Sequence, residues 1–199
     1  MLRFPQDLTS PQKVVLMLHG YGASGNYMIQ IAPKIHAPNT LFLAPNAPYL
    51  NETGYQWFEV DHSFNTDTVK TGLTQVRPIV LQMIDSIQRD YKIEYEDIIL
   101  LGFSQGAMLT LDIITHHPEL RKAIAISGAF FPFENINAKS KDILLIHGTN
   151  DETVSFQYSV DGEKQLKELG AHVTFKMIPG LDHHINQEGI DTVIEFLKG

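Results

Sequence analysis

Ile98-Ile99-Leu100-Leu101-Gly102-Phe103-Ser104-Gln105-Gly106-Ala107-Met108-Leu109 is the stretch whose reading decides the fold. Its first four residues form an apolar run of strand length. After Gly106 the strand alternation is lost and the residues read as the start of a helix. Between them stands G-x-S-x-G, giving the order strand, tight turn, helix that carries a serine on a nucleophile elbow. Such a turn strains the serine backbone, and the glycines two residues to either side let neighbouring backbone pass. The hydroxyl is then held clear of the sheet edge, at a helix N-terminus where negative charge is favoured.

Further apolar runs at 14–18, 41–44, 123–126, 143–146 and 173–178 read, with 98–101, as buried parallel strands. Helical patterns lie between most of them, over 26–35, 69–91, 104–116, 155–169 and 187–198. Pro78 is expected to kink or divide the second, and Gly170 to cap the fourth. Strands alternating with helices predict an α/β protein with a mostly parallel central sheet of about six to seven strands and helices on both faces. No linker, repeat or charge block divides the 199 residues, which fit a single domain spanning 1–199. The segment before the first core strand is short, so the sheet is expected to lack an early edge strand. The least regular stretches, 46–66 and 127–141, are candidate pocket walls, since loops at strand C-termini build the site in such a sheet.

Composition narrows the function. With 43% apolar and 19% charged residues the chain reads as globular. A net charge of −8 without a Lys/Arg cluster speaks against nucleic acid as a partner. There is no cysteine, which excludes disulfides, thiolate metal sites and a cysteine nucleophile, and suits a reducing cytoplasm. Met1-Leu2-Arg3-Phe4-Pro5 opens no apolar signal segment, and no run is long enough for stable membrane insertion.

A serine hydroxyl needs an adjacent base, and the base needs an orienting acid. On an elbow of this type they follow in the order Ser, Asp or Glu, His. Asp151 lies on the loop after strand 143–146, beyond its C-terminal end. Asp142 stands at the wrong end of that strand, Asp161 inside a helix, and Asp182 too near the histidines in sequence. Asp151 reads equally as a turn former or helix cap. His183 follows strand 173–178 and precedes the last helix, where an imidazole can reach over the sheet edge; His184 is its rival. Asp182-His183-His184 lacks the H-E-x-x-H spacing of a metalloprotease, so no metal or other cofactor is expected. Oxyanion donors are expected from the main-chain N–H of Gln105, next to the serine, and of Tyr21 in the glycine-rich loop after the first core strand.

Leu18-His19-Gly20-Tyr21-Gly22, Pro45-Asn46-Ala47-Pro48, Trp57-Phe58-Glu59, Gly102-Phe103-Ser104-Gln105-Gly106-Ala107, Ser127-Gly128, His147-Gly148-Thr149-Asn150-Asp151 and His183-His184-Ile185 together resemble the phospholipase/carboxylesterase group of α/β-hydrolases, which includes the acyl-protein thioesterases. The resemblance covers nearly the whole chain, in the family's order. It implies the α/β-hydrolase fold, hydrolysis of ester or thioester bonds of small acyl esters, lipids or acylated proteins, and a monomer or homodimer. It implies Ser104, Asp151 and His183 as the triad, acting through a covalent acyl-enzyme, and Tyr21 and Gln105 as oxyanion donors. Trp57 and Phe131 are expected to line an acyl pocket, the competing reading being that they pack in the core. Asp182 stands where the family usually has glycine, and His184 where it has a small or acidic residue. A ligand-binding protein without catalysis, or a serine peptidase or amidase, are the alternatives the same fold and residues allow.

Overall fold

A computed structural model describes residues 1–60 and 65–199. In chain order the elements are β1 (Leu2–Phe4), β2 (Lys13–Leu18), α1 (Gly25–Ile29), β3 (Thr40–Ala44), β4 (Tyr49–Leu50), β5 (Tyr55–Gln56), α2 (Thr66–Tyr91), β6 (Ile98–Phe103), α3 (Gln105–His116), β7 (Lys122–Ile126), β8 (Asp142–Gly148), α4 (Gln157–Glu168), β9 (His172–Ile178) and α5 (Gln187–Lys198). Seven strands form one sheet in the order β1-β3-β2-β6-β7-β8-β9, and β4 and β5 make a small hairpin.

From β2 through β8 the apolar runs of the parallel strands are continuous because both faces of the sheet are covered there, whereas the edge strand β9, expected to be buried, is only partly so and carries Thr174 and Lys176. Along β2, Val14, Leu16 and Leu18 point into a core roofed by α2, α3 and α4, through residues such as Leu73, Val80, Leu109 and Leu166. The intervening Val15 and Met17 point into a second core closed by Met28 of α1 and Ile190, Val193 and Leu197 of α5. The two-residue period of a strand sends alternate side chains to opposite faces.

Four further expectations change. The sheet does have an early edge strand: β1 pairs antiparallel with β3, Leu2 opposite Ala44 and Phe4 opposite Phe42. Three residues suffice because β1 needs only to cover one open edge. Pro78 does not divide α2, which runs 26 residues. Its buried face continues through Leu73 and Val76 before the proline and Val80 and Ile84 after it, so packing offsets the lost hydrogen bond. The helix expected over 26–35 is five residues of α1 followed by a single 3-10 turn containing Pro33, whose missing N–H stops the ladder. The 46–66 stretch contains the β4–β5 hairpin; its residues 61–64 lie outside the described ones. Gly170 behaves as expected: at φ 90° it ends α4, with Gly170 N–H donating to Lys167 O and Ala171 N–H to Leu166 O.

Strand order positions the site. From β2 the chain goes to β3 on one side, then crosses to β6 on the other. The loops after β2 and β6 therefore run in opposite directions and leave a crevice between them at the C-terminal edge, the usual place for a ligand in an open parallel sheet.

Candidate active site

Ser104 occupies that crevice at φ 54° and ψ −117°. Its N–H donates to Ile126 O of β7 at 2.9 Å, while its carbonyl accepts from Ala107 and Met108 at the start of α3. The turn closes only because its flanks lack side chains. A Cβ at Gly102 would stand 2.2 Å from Gly106 O, and one at Gly106 would stand 2.1 Å from Leu18 O.

Three loops bring three side chains into a line. His183 Nε2 lies 2.9 Å from Ser104 Oγ, and His183 Nδ1 lies 2.7 Å from Asp151 Oδ2. Phe103 packs against the His183 ring at 4.9 Å between centroids. Asp151 follows β8 and is buried. Its Oδ1 accepts from the Thr153 and Val154 N–H groups at 3.0 and 2.9 Å, so Asp151 forms a turn with one oxygen and faces His183 with the other; it caps no helix, since α4 begins later, after Phe156. Burial raises this acid, but hydrogen bonds from His147, His183 and the Val154 N–H outweigh it and hold the carboxyl below the usual carboxylate range. His184 turns away and pairs with Asp182. Asp161, on α4, accepts from Gln157 Nε2 instead.

The loop after β2 passes close to the serine. A Cβ at Gly20 would lie 3.2 Å from Ser104 Cβ. Tyr21 N–H has no hydrogen-bond partner among the described residues, and Gln105 opens α3, where a helix supplies no acceptor for its first N–H groups. Both N–H groups thus lie on segments flanking Ser104.

Several site-building residues carry no signal that composition or spacing reveals. The Gln105 side chain is buried, its Oε1 accepting from Trp57 N–H at 2.8 Å and its Nε2 donating to Phe58 O at 2.7 Å. His19 is buried beneath the loop. Ala47 N–H donates to its Nε2 at 3.0 Å, so the proton sits on Nδ1, which donates to Gly20 O at 2.7 Å. His147 stands beside Asp151, its Nε2 3.2 Å from Oδ2. Only the family-like segments around Leu18-His19-Gly20 and His147-Gly148 hinted at the last two.

Trp57 and Phe131, expected on a pocket wall, are core residues instead. Trp57 is fully buried, its indole N–H donating to His19 O at 2.9 Å. Phe131 is buried against Tyr158. Large rings at these positions close the core beneath the loops, and burial of this area outweighs exposure to a ligand. Among the described residues, two grooves are lined by other side chains. A polar groove of about 540 Å³ beside His183 is lined by Asn150, Glu152, Thr153 and Asp182. A second, of about 900 Å³, lies between the β4–β5 hairpin and α2, with Leu50, Phe58, Gly72 and Gln75 in its walls. Among the described residues no helix is long and apolar enough to cross a membrane.

This geometry has relatives. Residues 6–199 match the sequence model of the Phospholipase/Carboxylesterase family. The chain is 30% identical to acyl-protein thioesterase 1 homolog 1 of Dictyostelium discoideum, over 97% of this chain and 92% of that protein. It is 25% identical to esterase YpfH of Escherichia coli, over 94% and 82%. The crystal structure of esterase PE8 superposes with a TM-score of 0.92 at 32% identity, covering 99% of this chain and 96% of that one. With the elbow, the seven-stranded sheet and a match from residue 6 to residue 199, the chain belongs to the phospholipase/carboxylesterase family of α/β-hydrolases.

Proposed function

We propose that this protein is a serine esterase working through a Ser104-His183-Asp151 triad and a covalent acyl-enzyme. Membership of the family makes it a carboxylic ester or thioester hydrolase. The observation that carries the finer reading is the unbroken chain of hydrogen bonds, 2.9 Å from Ser104 Oγ to His183 and 2.7 Å from His183 to Asp151.

In the proposed cycle His183 Nε2 takes the hydroxyl proton as Ser104 Oγ attacks the acyl carbon. The Tyr21 and Gln105 N–H groups stabilise the oxyanion. His183 returns the proton to a leaving alcohol; a thiol departs as thiolate, and His183 then gives its proton to solvent, so that the imidazole is neutral again in either case. Water then attacks the acyl-enzyme, giving its proton to the same imidazole, and the acid is released with Ser104 restored. Asp151, kept ionised, fixes the tautomer and stabilises the imidazolium. The groove beside Phe58 gives room for an acyl chain, and the polar groove beside His183 suits a leaving group. No step calls for a metal or cofactor. The reading also takes residues 1–199 as one domain and, since a chain without disulfides suits a reducing compartment, the cytoplasm as the setting.

The test is hydrolysis of p-nitrophenyl esters from acetyl to palmitoyl, with Ser104→Ala alongside. The wild type is expected to turn over part of the series and to be labelled by a fluorophosphonate. Ser104→Ala should lose about 10³-fold or more in kcat while staying folded. Wild-type turnover in that variant would overturn the triad. A wild type that is neither active nor labelled would favour a ligand-binding role.

A further inference from the structure

The Asp151 carboxylate accepts from three N–H groups, and a fourth, that of His147, stands against it. Thr153 and Val154 serve Oδ1 and His183 serves Oδ2, with His147 Nε2 3.2 Å from the same oxygen. His147 is the unassigned member. It is wholly buried near the end of β8, four residues before Asp151. Its Nε2 lies 2.9 Å from Val154 O and 3.2 Å from Asp151 Oδ2. Both are acceptors, so Nε2 carries a proton. Its Nδ1 lies 2.6 Å from Ser159 Oγ, in α4, and accepts a hydrogen bond from the Ser159 hydroxyl. The Phe156 ring packs at 89° to the imidazole, 5.9 Å between centroids, and fixes its plane.

We propose that His147, with its tautomer set by Ser159, is a positioning residue that fixes the Asp151 carboxylate toward His183. The inference rests on Asp151 being the acid of the triad. Without His147, one lone pair of Oδ2 faces a buried site with no donor. The carboxylate is then held on that side by His183 alone and gains freedom to turn about its terminal torsion. A neutral N–H donor anchors it without adding a charge that competes with the imidazolium formed during the reaction. The buried chain thus runs beyond the triad, from Ser104 through His183, Asp151 and His147 to Ser159. Supporting groups of this kind lock the rotamers of reacting ones, and misplacement by about 1 Å can cost ~10²-fold in rate.

The experiment measures kcat and KM for a short-chain p-nitrophenyl ester across pH in His147→Leu, His147→Gln and Ser159→Ala, with Ser104→Ala as reference and circular dichroism to confirm folding. His147→Leu is expected to lower kcat by about 10–100-fold with KM nearly unchanged. The ascending limb of kcat/KM should move to higher pH, because a carboxylate with one donor fewer holds the proton on His183 more firmly. His147→Gln, which keeps a donor amide, should recover part of the rate. Ser159→Ala should shift both readouts in the same direction by less. A folded His147→Leu with wild-type kcat and limb overturns the proposal; if that variant does not fold, an unmoved limb and kcat in Ser159→Ala overturn it. Either result beside an inactive Ser104→Ala leaves the triad standing. An active Ser104→Ala removes the triad and this proposal together.

Discussion

Ser104 keeps a positive φ that costs a non-glycine residue about 1–3 kcal/mol, and its surroundings hold it there. The Ile126 carbonyl, the helix start and two glycines leave the chain no other path. His19 performs the matching task on the opposite loop, joining Ala47 N–H, Gly20 O and, through its own carbonyl, Trp57. Burial pushes this imidazole below its ordinary value, against a smaller opposing effect of the Gly20 hydrogen bond. The unfolded chain therefore takes up a proton below about pH 6.5 that the folded one resists, so stability falls as pH drops through that window. His19→Asn should cost about 1–3 kcal/mol near pH 7.5 by stranding the Ala47 N–H. Its deficit relative to wild type should narrow at pH 5, read from urea unfolding at the two pH values. A deficit constant with pH would show that His19 does not supply the acid sensitivity.

Among the elements, α2 and α3 depend on each other through a buried ion pair. Arg77 Nε and Nη2 donate to both oxygens of Asp112, at 2.7 and 2.8 Å, and the guanidinium stands 4.9 Å from the Phe133 ring centroid. The Asp112 side chain has no exposure, so removing Arg77 leaves a buried carboxylate without its principal partner. Arg77→Met should destabilise by about 3–5 kcal/mol, and adding Asp112→Asn should restore part of that. Chemical denaturation of the two single variants and the double one gives the coupling; simple additivity would contradict the assignment. The Gln105 side chain plays the same part between α3 and the segment after β5, tying Trp57 and Phe58 to the elbow by two hydrogen bonds.

For the whole molecule, the sheet separates two cores with few shared partners. Ile84 of α2 lies in one and Ile190 of α5 in the other. Truncating either to alanine should cost about 2–5 kcal/mol. The costs should add within about 0.5 kcal/mol in the double variant, since substitutions without shared partners act independently. A large departure in denaturant titrations would mean that the sheet transmits strain between its faces. Only the assembled molecule brings Ser104, Asp151 and His183 together: each follows a different strand, and the C-terminal ends of the parallel strands β6, β8 and β9 lie on the same side of the sheet.

The sequence alone determined what local chemistry can write. Apolar runs of strand length marked the parallel strands β2, β3, β6, β7 and β8, because a strand buried on both faces is apolar throughout, while β9, an edge strand with Thr174 and Lys176 in it, is only partly covered. Gly102-x-Ser104-x-Gly106 marked the elbow, because only glycine permits backbone to pass within about 3 Å. The order of serine, aspartate and histidine along the chain singled out residues that the fold does draw together. Tertiary structure decided the rest. Pro78 stays inside one helix because burial on either side of it outweighs its local cost. Trp57 and Phe131 turn inward, since hydrophobicity reads the same for a core and for a pocket wall. His19, His147 and Ser159 become partners of the site only through contacts between residues far apart in the chain or through a helix that packs back on it. A hydrogen bond is set by distance and direction in space, and neither is written in the identity of a single residue.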